Sequence, residues 1–183
     1  MVRSVVEKAI AFATQAHEGQ FRKGTTRPFI VHPLEVGQIV ATMTDDEEII
    51  SAAFLHDTIE DCEDVTREII CSEFSDRVAD LVDQESEDKS KTWIERKGTT
   101  IERLKNAPWE VKLIALGDKL SNMRDIDRDY PENGDNLWNR FRMKDKQMIG
   151  WYYKGILTSL QDSMGEMAAF EEYSKLVRKH FGK

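Results

Sequence analysis

The stretch IISAAFLHDTIED, from Ile49 to Asp61, decides the fold of this 183-residue chain. A run of mostly apolar residues ends in one histidine and three carboxylate residues. A helix places residues four apart on one face, so a helix continued to Asp61 sets His56 over Glu60 and Asp57 over Asp61. Charged groups on an apolar face are costly unless they are paired or bind a metal. This stretch alone is compatible with two interpretations. It could form a metal site, or it could be a helix end that continues into a solvated acidic loop.

Length and composition predict one globular domain over residues 1–183. Hydrophobic residues make up 40% of the chain and charged residues 33%, which is typical of soluble proteins. No apolar run approaches the roughly 20 residues that span a bilayer, and the first residues lack the apolar stretch of a signal peptide. The sequence therefore predicts a cytoplasmic protein that does not interact with a membrane.

The net charge of -8 argues against a nucleic-acid-binding protein, because phosphate contacts require a basic surface. A small anionic ligand remains compatible with this charge, since a local cluster of Lys and Arg is enough to bind it. The spacing of Cys62 and Cys71 matches neither a redox pair nor a zinc ribbon, so both are expected to be reduced packing residues.

Helical periodicity recurs along the chain without a convincing strand, which predicts an all-α bundle of about eight helices. His32 is expected just ahead of a helix that begins at Pro33, because a proline disfavours helical geometry in the residue before it. Residues 85–98 are strongly charged and predict a partly exposed loop or helix, and Pro131 and Gly134 predict a long loop. The other expected helices are Arg3 to His17, a helix from Asp45–Glu47 into the opening stretch, Asp76 to Gln84, a buried central helix from Trp109 to about Asp125, and closing helices from Trp138 to Gln161 and from Glu166 to Phe181.

Three features suggest a metal site when they are taken together: His32 before a proline, the pair His56–Asp57, and Asp118 in an apolar helix. Two imidazoles and two carboxylates suit a divalent ion of intermediate hardness, such as Mn, Fe, Ni, Co or Zn. A set made only of oxygen ligands would favour Mg or Ca instead. His180 lies close to the C-terminus and is expected to have no role.

Four ordered pieces of the chain resemble the HD superfamily of metal-dependent phosphohydrolases. More narrowly, they resemble the alarmone hydrolase domain of the RelA/SpoT family, including its small stand-alone members in metazoa. A bare His-Asp pair is a weak signal, but four pieces in order at family-like spacing are a strong one. The pieces are HEGQFRKG from His17 to Gly24, PFIVHP from Pro28 to Pro33, HDTIED from His56 to Asp61, and DKLSNMR from Asp118 to Arg124.

The resemblance implies roles for nine residues. Four of them hold one metal ion, usually Mn2+ in this family, two are an acidic pair found in hydrolase-competent members, and three contact the guanosine nucleotide. The metal ligands are His32, His56, Asp57 and Asp118, the catalytic pair is Glu60 and Asp61, and the substrate-binding residues are Arg22, Lys23 and Asn122.

The implied reaction is removal of the 3′-pyrophosphate from ppGpp or pppGpp, which yields GDP or GTP and pyrophosphate. A divalent ion lowers the pKa of water and neutralises phosphate charge, and a nearby carboxylate that moves protons typically adds about 10²–10⁴-fold. A phosphatase of NADPH or of another nucleotide, and a non-catalytic nucleotide sensor, are the alternatives. Arg140 and Arg142 occupy a region where the metazoan members place an Arg and a Tyr, yet no tyrosine follows them until Tyr152 and Tyr153. The exact nucleotide, like the oligomeric state, therefore stays open.

Overall fold

The computed structural model describes residues 4–84 and 90–182. Within these ranges the chain forms ten α-helices and one 3-10 helix, and its only β-type pairing is an isolated bridge between Phe21 and Pro28. The predicted all-α class is therefore confirmed. The helices are α1 (Val5–Ala16), α2 (Val31–Ala41), α3 (Glu47–Leu55), α4 (Thr58–Asp61), α5 (Arg67–Glu73), α6 (Asp76–Asp83), α7 (Trp93–Lys105), α8 (Trp109–Asn133), the 3-10 helix Gly134–Arg140, α9 (Lys146–Met164) and α10 (Ala168–Phe181).

Helix α3 lies at the centre of one half of the bundle. Its first turn is capped by Asp46, whose carboxylate accepts hydrogen bonds from the backbone amides of Glu48 and Ile49 at 3.0 and 3.3 Å. Residues 49–55 are all buried, and the helix contacts α1, α2, α6 and α8. The predicted start of this helix is confirmed, and the apolar run forms its buried body.

Two glycines let α2 approach its neighbours closely. A Cβ atom on Gly37 of α2 would lie 2.4 Å from the Phe54 ring of α3, and one on Gly117 of α8 would lie 2.8 Å from Cγ2 of Val40 on α2. Larger side chains at these positions would separate the helices. His32 lies in the first turn of α2, His56 follows α3, and Asp118 follows Gly117 on α8, so this close packing brings the predicted metal ligands together.

Helix α2 begins at Val31, not at Pro33 as predicted. The amides of Val31 and His32 already donate to the carbonyls of Pro28 and Phe29, at 3.3 and 3.0 Å, so a turn forms ahead of the proline. Pro33 then occupies the first turn, where an amide has no intrahelical acceptor and none is lost. His32 therefore lies inside the helix rather than before it.

The prediction of one continuous helix through Asp61 is wrong, because α3 ends at Leu55 and His56 and Asp57 form a turn. Two side chains donate hydrogen bonds to carbonyls in the last turn of α3. His56 Nδ1 donates to the Ala53 carbonyl at 2.8 Å, and the Thr58 hydroxyl donates to the Leu55 carbonyl at 2.7 Å. Such local side-chain bonds compete with the helical pattern, and α4 then starts as a separate short helix.

The C-terminal boundaries also differ from prediction. Helix α8 continues past Asp125 to Asn133 and contains Pro131 in its last turn, and the 3-10 helix replaces the predicted long loop. Helix α9 begins at Lys146 instead of Trp138, where Asp145 caps it. Within the charged stretch 85–98, residues 85–89 lie outside the described residues, and a capping box at Thr92 starts α7.

His180 is a structural residue, contrary to the prediction that it has no role. Its side chain is 3% exposed, and its Nε2 lies 2.7 Å from Oδ1 of Asp127 on α8. The Lys179 ammonium pairs with the same carboxylate oxygen at 2.5 Å. These contacts fasten the last turn of α10 to α8.

In the ranges 4–84 and 90–182, every helix is too short or too polar to cross a membrane.

Candidate metal centre

The structure brings the four predicted metal ligands together where α2, the turn after α3, and α8 meet. His32 Nε2 lies 3.2 Å from Asp118 Oδ1 and 3.5 Å from Asp57 Oδ2. His56 Nε2 lies 3.1 Å from Asp57 Oδ2 and 3.9 Å from Asp118 Oδ1. The ligand atoms of His32, His56 and Asp118 all fall within 4.8 Å of one another, and these three residues are buried. We call these four residues the quartet.

Hydrogen bonds on the far side of each imidazole orient both rings toward the centre of the quartet. His56 Nδ1 donates to the Ala53 carbonyl at 2.8 Å. His32 Nδ1 donates to the Ser121 hydroxyl at 2.9 Å, and that hydroxyl in turn donates to the Glu35 carboxylate at 2.7 Å. In the neutral form of each ring the proton would lie at Nδ1, which leaves the lone pair of Nε2 for a metal ion, as a metal-ligating histidine requires.

The electrostatics of the quartet without an ion are those of a tight charge cluster. Burial lowers the pKa of His56, but the adjacent Asp57 carboxylate outweighs it, and the pKa rises to about 9. Burial outweighs the Asp118 hydrogen bond at His32, whose pKa is lowered. Burial alone would raise the pKa values of Asp57 and Asp118, yet the neighbouring His56 and Lys119 respectively hold both below the usual range. The carboxylates are therefore charged and ready to bind a cation.

The chemistry of these residues fits a divalent ion. The donor set is two imidazole nitrogens and two carboxylates, which suits ions of intermediate hardness. His56 Nε2 is buried and faces the centre of the quartet, but its 3.1 Å contact with Asp57 Oδ2 lacks hydrogen-bond geometry, and no other described residue satisfies it. A buried polar atom without a partner is rare in native proteins, and a bound cation would satisfy it.

A chain of polar contacts joins the quartet to the loop at residues 20–28. Asn122 Nδ2 donates to Asp118 Oδ1 at 2.5 Å, and Asn122 Oδ1 accepts from a guanidinium nitrogen of Arg22 at 2.9 Å. Arg22 also pairs with Asp125 at 2.8 Å and stacks over the Phe29 ring, 5.5 Å from its centroid. Two of the three predicted substrate-binding residues thus lie beside the quartet.

The other predicted site residues lie on the loop at residues 20–28 and on α4. Lys23 is exposed on the same loop, and in the described ranges no hydrogen bond connects its side chain to the residues above. Glu60 and Asp61 lie on α4, one turn beyond the ligand pair, with Glu60 half-buried and Asp61 exposed. The Asp61 amide donates to the Asp57 carbonyl at 2.9 Å, which ties the acidic pair to a quartet residue. The roles assigned to all these residues stay predictions.

Sequence reasoning missed the residues that support the quartet. Ser121 lies three residues after Asp118, and Glu35 lies three residues after His32, so each shares a helical face with a predicted ligand. Arg124 then binds the Glu35 carboxylate at 3.2 Å. A search for polar residues at helical spacing from the ligands would have found Ser121 and Glu35.

The chain resembles known proteins over most of its length. A family model described as HD domain matches residues 9–144. The guanosine-3′,5′-bis(diphosphate) 3′-pyrophosphohydrolase MESH1 of Danio rerio is 34% identical over 174 residues, which cover 92% of this chain and 89% of the fish protein. The MESH1 protein of Homo sapiens is 33% identical over 181 residues, which cover 96% of this chain and 93% of the human protein.

A solved structure extends the likeness over the whole chain. It is titled as a metazoan ortholog of SpoT that hydrolyzes ppGpp and plays a role in starvation responses. It superimposes with a TM-score of 0.83 at 25% identity, covering 100% of this chain and 99% of that one. The chain therefore belongs to the HD domain family, and within it to the group that contains the MESH1 proteins.

Proposed function

We propose that this chain is a metal-dependent hydrolase that removes the 3′-pyrophosphate from ppGpp or pppGpp. The observation that carries the proposal is the convergence of two inward-facing imidazoles and two charged carboxylates near the half-buried guanidinium of Arg22. The names of the relatives that cover most of this chain support the same activity. In the reaction, a water oxygen bonds to the phosphorus attached to O3′ and the P–O3′ bond breaks, so that GDP or GTP and pyrophosphate are released.

The quartet would hold one divalent ion, and we propose Mn2+ as that ion. An ion bound at the quartet would lower the pKa of water and neutralise the charge of the phosphate groups. The mixed nitrogen and oxygen ligands support this choice over Mg or Ca, which prefer oxygen alone.

The acidic pair on α4 would move protons in this reaction. Glu60 is half-buried and follows the ligand pair by one turn, so we assign it to orient the attacking water or to protonate O3′. Asp61, which is more exposed, is assigned the complementary step. Both roles follow the sequence prediction.

The loop residues and Asn122 would bind the nucleotide. Arg22 and Asn122 are joined to each other and to Asp118, so a ligand that they contact also faces the quartet. Lys23, exposed on the same loop, would contact the nucleotide from the solvent side. The partner is thus a small guanosine nucleotide and not a nucleic acid, in keeping with the net charge of -8. We further propose a cytoplasmic location and a single domain over residues 1–183.

Product analysis tests the proposal. Metal-stripped protein is incubated with ppGpp, with and without added Mn2+, and the products are separated by anion-exchange chromatography. GDP and pyrophosphate in a 1:1 ratio, formed only with metal, support the proposal. Orthophosphate as the product would instead favour a nucleotide phosphatase, and tight ppGpp binding without turnover would favour a sensor. Asp118→Asn is the matched control variant, because it keeps the shape of the side chain but removes a charged ligand.

A further inference from the structure

Two aspartates of α8 fasten the loop at residues 20–28 to that helix. Asp125 and Asp129 lie four residues apart, so they share one face of α8. Asp125 pairs with Arg22 at 2.8 Å and with Arg27 at 3.4 Å. Asp129 pairs with Arg27 at 2.7 Å. The side chains of the two aspartates are only 14% and 19% exposed, so solvent and salt screen these ion pairs less than they screen surface pairs. The loop is therefore held to α8 through its two arginines.

Asp129 also joins the loop to the 3-10 helix Gly134–Arg140. Its Oδ2 atom accepts from Arg27 at 2.7 Å and from Arg140 Nη1 at 2.8 Å, so one carboxylate oxygen lies between two guanidinium groups. Arg140 lies against the backbone of the loop, since a Cβ atom on Gly24 would lie 2.7 Å from the Arg140 Cγ atom. Without the carboxylate, the two like charges would repel each other. The negative charge of Asp129 thus stabilises the junction of the loop, α8 and the 3-10 helix.

The backbone of the loop couples the position of Arg27 to that of Arg22. The Arg22 amide donates to the Arg27 carbonyl at 2.9 Å, so the two residues lie opposite each other and a shift of one displaces the other. The Arg22 guanidinium then donates to Asn122 at 2.9 Å, and Asn122 contacts Asp118 of the quartet. A path of contacts therefore runs from Asp129 through Arg27 and Arg22 to the quartet.

We propose that Asp129 is a positioning residue, which acts through Arg27 to hold Arg22 where it binds the nucleotide. This role rests on the proposed function and accounts for how the nucleotide-binding loop is kept in place. Asp129 lies about three turns of α8 after Asp118, roughly 16 Å along the helix axis. In the described ranges, none of its ion pairs or hydrogen bonds involves a quartet residue. Loss of its charge should therefore weaken substrate binding and leave metal binding and the chemical step unchanged.

Asp129→Asn tests the inference, because it removes the charge and keeps the shape of the side chain. We expect KM for ppGpp to rise about tenfold, as for a lost hydrogen bond to a charged group, while kcat and the affinity for Mn2+ stay within about twofold of the parent values. Turnover measures KM and kcat, and isothermal titration of metal-stripped protein measures the affinity for Mn2+. Unchanged KM in this variant would overturn the inference.

Asp127→Asn is the matched control on the same helix. Asp127 pairs with Lys179 at 2.5 Å and with His180 at 2.7 Å, and both of these residues belong to α10. The control therefore removes the same charge and a comparable set of contacts away from the loop. Its KM for ppGpp should equal that of the parent. An equal rise of KM in Asp127→Asn and Asp129→Asn would overturn the inference, because the effect would then come from a general loss of stability.

A double variant tests the path through Arg27. Arg27→Gln alone should raise KM for ppGpp as Asp129→Asn does, and the combination of the two substitutions should cause no further rise. Additive effects would overturn the inference, because Asp129 would then act independently of Arg27.

Limited digestion with trypsin, which cleaves after lysine, gives a readout that does not depend on turnover. Lys23 is exposed on the loop. In the substrate-free protein, cleavage after Lys23, followed by mass spectrometry, should be about fivefold faster in Asp129→Asn than in the parent and unchanged in Asp127→Asn. If the parent does not hydrolyse ppGpp, the proposed function fails, and these cleavage rates then test the role of Asp129 by themselves. Equal cleavage after Lys23 in the parent and in Asp129→Asn overturns that role.

Discussion

Substituting Ser121 by alanine tests whether the hydrogen bonds behind His32 set the metal affinity of the quartet. Ser121 is 1% exposed, accepts from His32 Nδ1 at 2.9 Å and donates to Glu35 at 2.7 Å. Alanine leaves the Nδ1 proton without an acceptor in a buried site, which costs about 1–3 kcal/mol. It also frees the imidazole proton to move to Nε2, where it would block the lone pair that faces the centre.

We expect Ser121→Ala to bind Mn2+ about 10- to 100-fold more weakly, the range found when such a supporting partner is removed. The free energy of unfolding of the metal-free protein should fall by about 1–3 kcal/mol. Isothermal titration of metal-stripped protein with Mn2+ measures the first quantity, and urea unfolding measures the second. At saturating Mn2+, kcat for ppGpp should return to within a few fold of the parent, because no ligand has been removed.

Ser159→Ala is the matched control. Ser159 is likewise buried, at 6% exposure, and its hydroxyl donates to the Ile101 carbonyl at 2.8 Å and not to a quartet residue. It should lose stability while keeping the parent's affinity for Mn2+. Parent affinity in Ser121→Ala, or an equal loss in Ser159→Ala, would refute the reasoning that the His32 ring is held in place by Ser121.

Three further results are expected. The double variant Glu60→Ala, Asp61→Ala should lower kcat for ppGpp by about 10²–10⁴-fold, as measured by turnover. Its affinity for Mn2+, measured by titration, should stay within a few fold of the parent value. Full activity of this variant would exclude a proton-transfer role for the pair. The pKa of His56 is raised from its ordinary value of 6.5 to about 9, so Mn2+ should displace about one proton at pH 7, and its apparent affinity should drop about tenfold per pH unit below 9. The metal-free protein should lose stability as the pH rises from about 6.5 to about 9. Titrations in buffers of different ionisation enthalpy measure the displaced proton, and none released would contradict the assignment. Gly37→Ala, whose Cβ would lie 2.4 Å from a buried ring of α3, should lower the free energy of unfolding by about 1–3 kcal/mol in urea melts, whereas Gly98→Ala, with its nearest neighbour at 3.9 Å, should not destabilise the protein.

The residues of the quartet could be predicted from sequence, but their arrangement could not. The sequence itself contains a histidine before a proline, a His-Asp pair and an aspartate in an apolar helix. The family resemblance then predicts that these residues bind one metal ion. The turn at His56 and Asp57 is not visible, because it depends on side chains that capture the carbonyls of Ala53 and Leu55. A prediction from hydrophobic periodicity assumes that the helical backbone hydrogen bonds continue, so it extended the helix beyond its actual end at Leu55.

Long-range partners explain most of the remaining differences. His180 looked like a residue of a frayed terminus, since its partner Asp127 lies 53 positions earlier in the chain. The surroundings of Tyr152 are likewise visible only in the folded structure, because α7 and α8 supply the lysines that lie over its ring. Composition and spacing describe only residues that are close in sequence. The contacts that define the surroundings of His180 and Tyr152 come from residues that are distant in sequence.

One face of α8 connects the quartet to the loop at residues 20–28. Asp118, Ser121, Asn122 and Asp125 recur at the three- and four-residue spacing that usually identifies a hydrophobic face. Asp118 contacts the histidines of the quartet, and Ser121 supports the His32 ring. Asn122 and Asp125 both bind Arg22 of the loop. A site built on one helix keeps these distances fixed more closely than a site built on loops. The separation between the metal ligands and the nucleotide-binding residues is therefore set by the rise of α8, and the apolar packing of α2 against that helix determines the geometry of the site.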